Sequence, residues 1–193
     1  MIVLGVDPGS LKTGYGVVQQ HHNGSFSVLA AGVIRLQAAW SHPERIGIIC
    51  RELEQVIAEF QPERVALETA FLSHNVQAAL KLGQVRGAVF GLVVRYALPI
   101  YEYAPREVKS AITGKGAATK EQVAFMVSRM LSLHTVPKPH DVTDALGIAL
   151  CDILRSESRQ SGVPPRTNSR RKSGTGGSWE QFVRQSPNVV VRS

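Results

Sequence analysis

The first eighteen residues, MIVLGVDPGSLKTGYGVV, constrain what this chain can fold into more than any other stretch. Ile2, Val3, Leu4 and Val6 form a short apolar, β-branched run of the kind that fills a strand buried on both faces. Asp7 stands where that run ends. A carboxylate at the rim of an apolar core is costly unless a cation, a donor or a helix N-terminus answers it. Pro8, Gly9 and Ser10 supply turn chemistry, with Gly9 able to take a positive φ, and Tyr15, Val17 and Val18 resume strand character. Gly14 and Gly16 leave room for another backbone or a ligand to come close. The stretch therefore predicts a hairpin with an acid at its tip.

Such a hairpin has three readings. Asp7 can simply cap its own turn. It can belong to the phosphate-binding hairpin of actin-like and sugar-kinase ATPases, or it can be a metal-binding acid on the first strand of a ribonuclease-H-like nuclease. The remainder of the chain has to choose.

At 193 residues and 44% hydrophobic content there is room for one α/β domain with a real core, and a tail. Cys50 and Cys151 lie far apart without metal-ligand spacing, which predicts two reduced thiols and a cytoplasmic protein. Residues 1–10 lack the basic start and long apolar segment of a signal peptide, and no apolar run reaches the ~20 residues that span a bilayer, so no membrane association is expected. The net charge of +7 is unevenly spread: from Arg155 onward eight Arg or Lys face two acids, whereas residues 1–154 are nearly neutral. Within that body, residues 69–140 hold nine basic groups and three acids, and the segments on either side are net acidic. A basic surface beside an acidic pocket suits a metal-dependent enzyme acting on a phosphodiester.

Taken in order, Phe26 to Leu36 predicts a third strand completing an antiparallel meander. His42-Pro43-Glu44 opens an amphipathic helix, with Ile46, Ile49, Leu53, Val56, Ile57 and Phe60 at helical spacing. Arg64 to Glu68 is a fourth strand, and it too finishes on a carboxylate. A long helix is expected from about Val76 to Tyr96, with Leu80, Val85, Val89, Leu92 and Val93 its apolar positions. Gly83, Gly87 and Gly91 recur every four residues on one stripe of that helix. Each costs about 1 kcal/mol against alanine, so the stripe implies close backbone approach, either inside the domain or between subunits.

Leu98 to Tyr103 reads as an edge strand and Pro105 to Ile112 as a helical turn. A helix follows from Thr119, where Thr119 and Gln122 form a capping box. A final helix runs from Asp141 to Leu154, with Asp141 and Asp144 on one face of its first turn and Asp152 on the surface. The order predicts α/β architecture: a mixed five-stranded sheet with helices on both faces. Residues 1–157 form the domain, and 158–193 a basic, compositionally disordered tail.

In that sheet Asp7 and Glu68 end neighbouring strands and the last helix packs across them, bringing Asp7, Glu68, Asp141 and Asp144 into one pocket. Four carboxylates together repel unless cations neutralise them, and an all-oxygen donor set points to Mg²⁺, with Mn²⁺ as the other option. Two such ions would favour in-line phosphodiester hydrolysis.

At this point the chain resembles a known family. The Asp7-Pro8-Gly9-Ser10 hairpin, the Val65-Ala66-Leu67-Glu68 strand followed by Phe71, Ala79 to Gln84, Val108-Lys109, Thr119 to Val123 and His140 to Leu146 look like RuvC, the bacterial Holliday junction resolvases of the ribonuclease-H-like superfamily. The resemblance spans residues 1–155. It implies a homodimeric, Mg²⁺-dependent endonuclease that nicks opposed strands of four-way junction DNA symmetrically in recombination and repair. It also implies association with the RuvA and RuvB branch-migration proteins.

By the same resemblance Asp7, Glu68, Asp141 and Asp144 hold two metal ions, although some relatives carry His at the place of Asp141. Lys109 and Lys120 match lysines near the scissile phosphate, and Phe71 is placed to stack on an unpaired base. Lys81, Arg86, Arg106 and Lys115 are candidate DNA-backbone contacts. An actin-like ATPase fragment, or a junction-binding protein without catalysis, remains the alternative.

Overall fold

The computed structural model describes residues 1–69 and 75–160. Three antiparallel strands, β1 (Ile2–Asp7), β2 (Lys12–Gln20) and β3 (Phe26–Arg35), form the expected meander. Helix α1 (His42–Phe60) leads to β4 (Arg64–Glu68), which pairs parallel to β1. Helix α2 (Val76–Arg95) then leads to β5 (Ile100–Tyr103), parallel to β4. Three helices complete the described residues: α3 (Pro105–Thr113), α4 (Lys120–Met130) and α5 (His140–Gln160). The sheet order is β3-β2-β1-β4-β5, so the mixed five-stranded sheet read from the sequence is present.

Local chemistry explains where the helices begin. Ser41 and Glu44 close a capping box on α1, Thr119 and Gln122 close another on α4, and the Asn75 side chain accepts from the Ala78 amide to start α2. Helix α3 starts on Pro105, where a missing N–H costs nothing.

Period-two alternation along the strands assigns the faces. Leu4, Val6, Val65 and Leu67 pack with Ile49, Leu53, Val85 and Val89 of α1 and α2. Val3, Ala66 and Val18 pack with residues of α3, α4 and α5 on the other side. The same alternation turns Asp7 and Glu68, two residues beyond Gly5 and Ala66, toward the α5 face. That face is where the sheet lacks side chains. A Cβ at Gly5 would lie 2.1 Å from the Ala145 carbonyl oxygen, at Gly14 2.2 Å from that of Asp141, and at Gly16 2.7 Å from Leu146 Cδ2. Helix α5 therefore beds against bare backbone, and the close approach expected at Gly14 and Gly16 is made by this helix.

The structure corrects several expectations. Helix α5 continues to Gln160, so the domain boundary at 157 falls inside a helix, and the rest of the 158–193 segment lies outside the described residues. Asp152 is fully buried rather than on the surface. It accepts from the Tyr103 hydroxyl of β5 at 2.7 Å and faces Arg64 Nη1 of β4 at 3.8 Å, because α5, bedded on β1 and β2, also reaches across β4 and β5. Leu80 is 60% exposed. Among the described residues a Cβ at Gly83, Gly87 or Gly91 would meet nothing within 4 Å, so the stripe packs against none of the described helices. Gly9 does not take a positive φ; a Cβ there would instead strike the Lys12 carbonyl oxygen at 2.3 Å.

Candidate active site

Two adjacent parallel strands deliver the first two acids. Val6 pairs with Leu67, so Asp7 and Glu68 are the next residues at the same end of the sheet. Asp141 and Asp144 sit one helical turn apart at the N-terminus of α5, where the helix dipole favours negative charge. The Gly14 cradle under the Asp141 backbone sets the distance between the two pairs.

The electrostatics record their proximity. Burial raises the Asp7 carboxyl to about 7, with Glu68, Asp144 and Asp141 adding to the rise and Lys120 opposing it. Glu68 is raised by burial and by Asp144, against Lys120, Lys109 and Arg86. Asp144 is raised by burial and by Asp141, against Lys120, His140 and Lys109. Three carboxyls raised in this way lack positive charge around them, and two lysines supply part of it. Lys120 Nζ stands 3.8 Å from Asp144 Oδ2.

Glu68, Lys109, Lys120 and Asp144 line a cleft of about 250 Å³ floored by Val108, Val123 and Ile148. A second cleft of about 240 Å³ is lined by Asp7, Pro8, Glu68, Thr69, Leu82, Arg86 and Pro105. Glu68 borders both, and Asp141 borders neither of the two. The expectation of one pocket holding four acids is thus only partly realised. Among the described residues no group of three or more His, Cys, Asp or Glu is drawn together tightly enough to hold an ion as it stands. The donor chemistry still fits: these are hard oxygen ligands, partly desolvated, with raised affinity for a positive charge.

The remaining candidate residues separate into two kinds. Lys81, Arg106 and Lys115 are exposed, the stem of Arg106 lying over Gly116, and Lys109 is half-buried in the cleft. Arg86 is not a free backbone contact. Its guanidinium donates to the Glu68 carbonyl and to the Glu102 carboxylate, with 12% of the side chain exposed. Phe71 lies outside the described residues. Sequence reasoning also missed Arg45, a buried residue of α1 whose Nη1 donates to the Ser10 carbonyl at 2.9 Å. The one signal was a single basic residue four positions before Ile49, on the apolar stripe of α1.

Comparison with known proteins bears on this arrangement. Residues 3–152 match the family model described as crossover junction endodeoxyribonuclease RuvC. The chain belongs to the RuvC family. It is 98% identical over 193 residues, with both chains fully covered, to the crossover junction endodeoxyribonuclease RuvC of Chlorobium chlorochromatii (strain CaD3). It is 63% identical to that of Pelodictyon phaeoclathratiforme, covering 100% of this chain and 98% of the relative.

The RuvC structure of Thermus thermophilus superposes with a TM-score of 0.77 at 35% identity, covering 82% of this chain and 97% of that one. The same organism's RuvC in complex with a Holliday junction substrate gives 0.75 at 33% identity, covering 84% and 97%. The yeast mitochondrial Holliday junction resolvase Ydc2, at 13% identity and a TM-score of 0.63, shares the fold. Family membership selects the endodeoxyribonuclease reading of the opening hairpin over the actin-like one. A nuclease of this family implies a divalent metal, and the acids at the strand ends are where this chain has ligands to offer. No described helix is long and apolar enough to cross a membrane.

Proposed function

We propose that this chain, a Holliday junction resolvase by family, cuts four-way junctions by two-metal hydrolysis at Asp7, Glu68, Asp141 and Asp144, with Mg²⁺ the working ion and Mn²⁺ a substitute. The observation that carries the reading is the gathering of Asp7, Glu68 and Asp144 beside Lys120, their carboxyls raised by burial and by neighbouring acids. When bound, such ions supply Lewis-acid stabilisation of charge on the attacking and leaving oxygens. Glu68, bordering both clefts, would serve both ion positions. Asp144 keeps Lys120 at the mouth of the larger cleft, where that ammonium and Lys109 can hold the scissile phosphate and offset charge developing on it. Exposed Lys81, Arg106 and Lys115 would track the backbone, and Phe71 would stack on an unpaired base at the crossover.

Paired cuts on opposed strands call for a two-fold dimer. The glycine stripe of α2 supports such a contact, since a Cβ at Gly83, Gly87 or Gly91 would meet nothing among the described residues and Val76, Leu80 and Val94 on the same helix are exposed. Gly87→Leu is therefore expected to leave the stability of the monomer unchanged or raise it by about 1 kcal/mol, while sedimentation shows the dimer lost and junction products show single rather than paired nicks. An unaltered dimer would remove α2 from the interface. RuvA and RuvB are the expected partners on the junction, in the cytoplasm. The activity itself is tested by incubating a synthetic four-way junction and a linear duplex of the same sequence with the protein and Mg²⁺. Symmetric nicks confined to the junction support the proposal, and an uncut junction, bound or not, refutes it.

A further inference from the structure

We propose that Arg86 and Arg45 are positioning residues, each fixing the main chain at or just beyond a strand-end acid from the helical layer opposite α5, and so setting where Glu68 and Asp7 stand. The inference rests on the metal site proposed above.

The two contacts are alike. Arg86, on α2, donates to the carbonyl of Glu68 itself and pairs with Glu102 on β5, with its guanidinium carbon 5.6 Å from the centre of the Phe90 ring. Arg45, on α1, donates to the carbonyl of Ser10, three residues beyond Asp7. A carbonyl where a strand runs out has no ladder to accept from and needs another donor. Burying a guanidinium is costly, and at 9% exposure Arg45 makes this hydrogen bond while, among the described residues, its Nε finds no partner. Such an expense is hard to account for as packing alone, since an aliphatic side chain would fill the space. The planar fork suits Arg86 in particular, because it bridges two acceptors on different strands. Asp7 and Glu68 are thereby held from below by α1 and α2, as Asp141 and Asp144 are held from above by the bed of α5.

This differs from the role of a phosphate contact, and the two can be separated. Arg86→Met, Arg86→Lys and Arg45→Met would be compared with the unaltered protein. Three quantities are measured: the rise in melting temperature on adding Mg²⁺ or Mn²⁺ without DNA, the metal concentration giving half-maximal junction cleavage, and the junction Kd in EDTA with its salt dependence. Arg86→Met is expected to need at least about tenfold more metal, in the range that partners of metal ligands command, and to show a smaller metal-induced thermal rise. Its metal-free junction Kd and salt slope should not change.

Arg86→Lys, keeping one donor, should fall between the two, and it carries the test if the Met variant fails to fold. Arg45→Met should act in the same direction but more weakly. A weaker Kd with a salt slope reduced by about one would make Arg86 a phosphate contact and overturn the inference. So would a lowered melting temperature with an unchanged metal requirement. If the unaltered protein itself shows no metal-induced rise and no metal-dependent cleavage, it is the site reading that fails.

Discussion

Asp7→Asn is expected to abolish junction cleavage, by about 10³-fold or more, while leaving junction binding in EDTA intact and making the metal-free protein more stable. The two effects have one origin. Asp7 ends β1 among Glu68, Asp141 and Asp144, and its carboxyl is raised by burial and by those neighbours to about 7. In an unfolded chain the same group titrates near 3.8. Between those values the native state holds the proton and the unfolded state has lost it. Stability therefore falls as pH rises through the window from about 4 to about 7, and the loss is complete above it.

Each tenfold difference in proton affinity between the folded and unfolded chain is worth about 1.4 kcal/mol, so ionised Asp7 costs the metal-free fold on the order of 2–4 kcal/mol at pH 8. Asn removes the charge and the cost together. Urea titrations of both proteins at pH 5 and pH 8 should show the advantage of the variant at pH 8 shrinking toward acid pH. Mg²⁺ should raise the melting temperature of the unaltered protein and do much less for the variant, since only the former gains a ligand. A variant less stable than the parent at pH 8, or one that still cuts, would mean that Asp7 is no part of a charged metal site.

The second large effect concerns the bed of α5. Gly5→Ala places a methyl 2.1 Å from one backbone atom of the helix and 2.7 Å from another, and neither can move without the helix. Overpacking usually costs about 1–3 kcal/mol, and a backbone-to-backbone clash belongs at or above the top of that range. Gly16→Ala meets the Leu146 side chain, which can turn aside, so it should cost less. Gly14→Ala pushes on the Asp141 backbone and should reduce cleavage more than it reduces stability. A displacement of about 1 Å between catalytic groups can cost around 10²-fold in rate. Denaturant unfolding and single-turnover cleavage of the three variants give the order. Equal stability losses at Gly5 and Gly16 would show that α5 floats on the sheet and that its acids are not placed by it.

These glycines show how differently identical residues can behave. Gly14 and Gly16 read as sites of close approach, and the helix is there. The α2 stripe invited the same reading, yet none of the described residues comes within 4 Å of where its side chains would begin. What separates the two sets is the company each keeps in space: the central strands must be covered by the domain's own helices, whereas α2 has an outer side.

The acids that end β1 and β4, the capping boxes, the glycine gaps and the pairing of Asp141 with Asp144 on one turn could all be read from residues one to four apart, because strand alternation and helical turns are local rules. The family likeness extended that reading to the roles of the four acids. The tertiary structure alone decided that Arg86 and Arg45 serve carbonyls, that Asp152 is buried against Tyr103, and that Asp7, Glu68 and Asp144 are divided between two clefts. A guanidinium looks the same in sequence whether it reaches DNA or its own backbone. Its partner here lies 18 or 35 residues away along the chain, and only the packing of helix on sheet brings the two together.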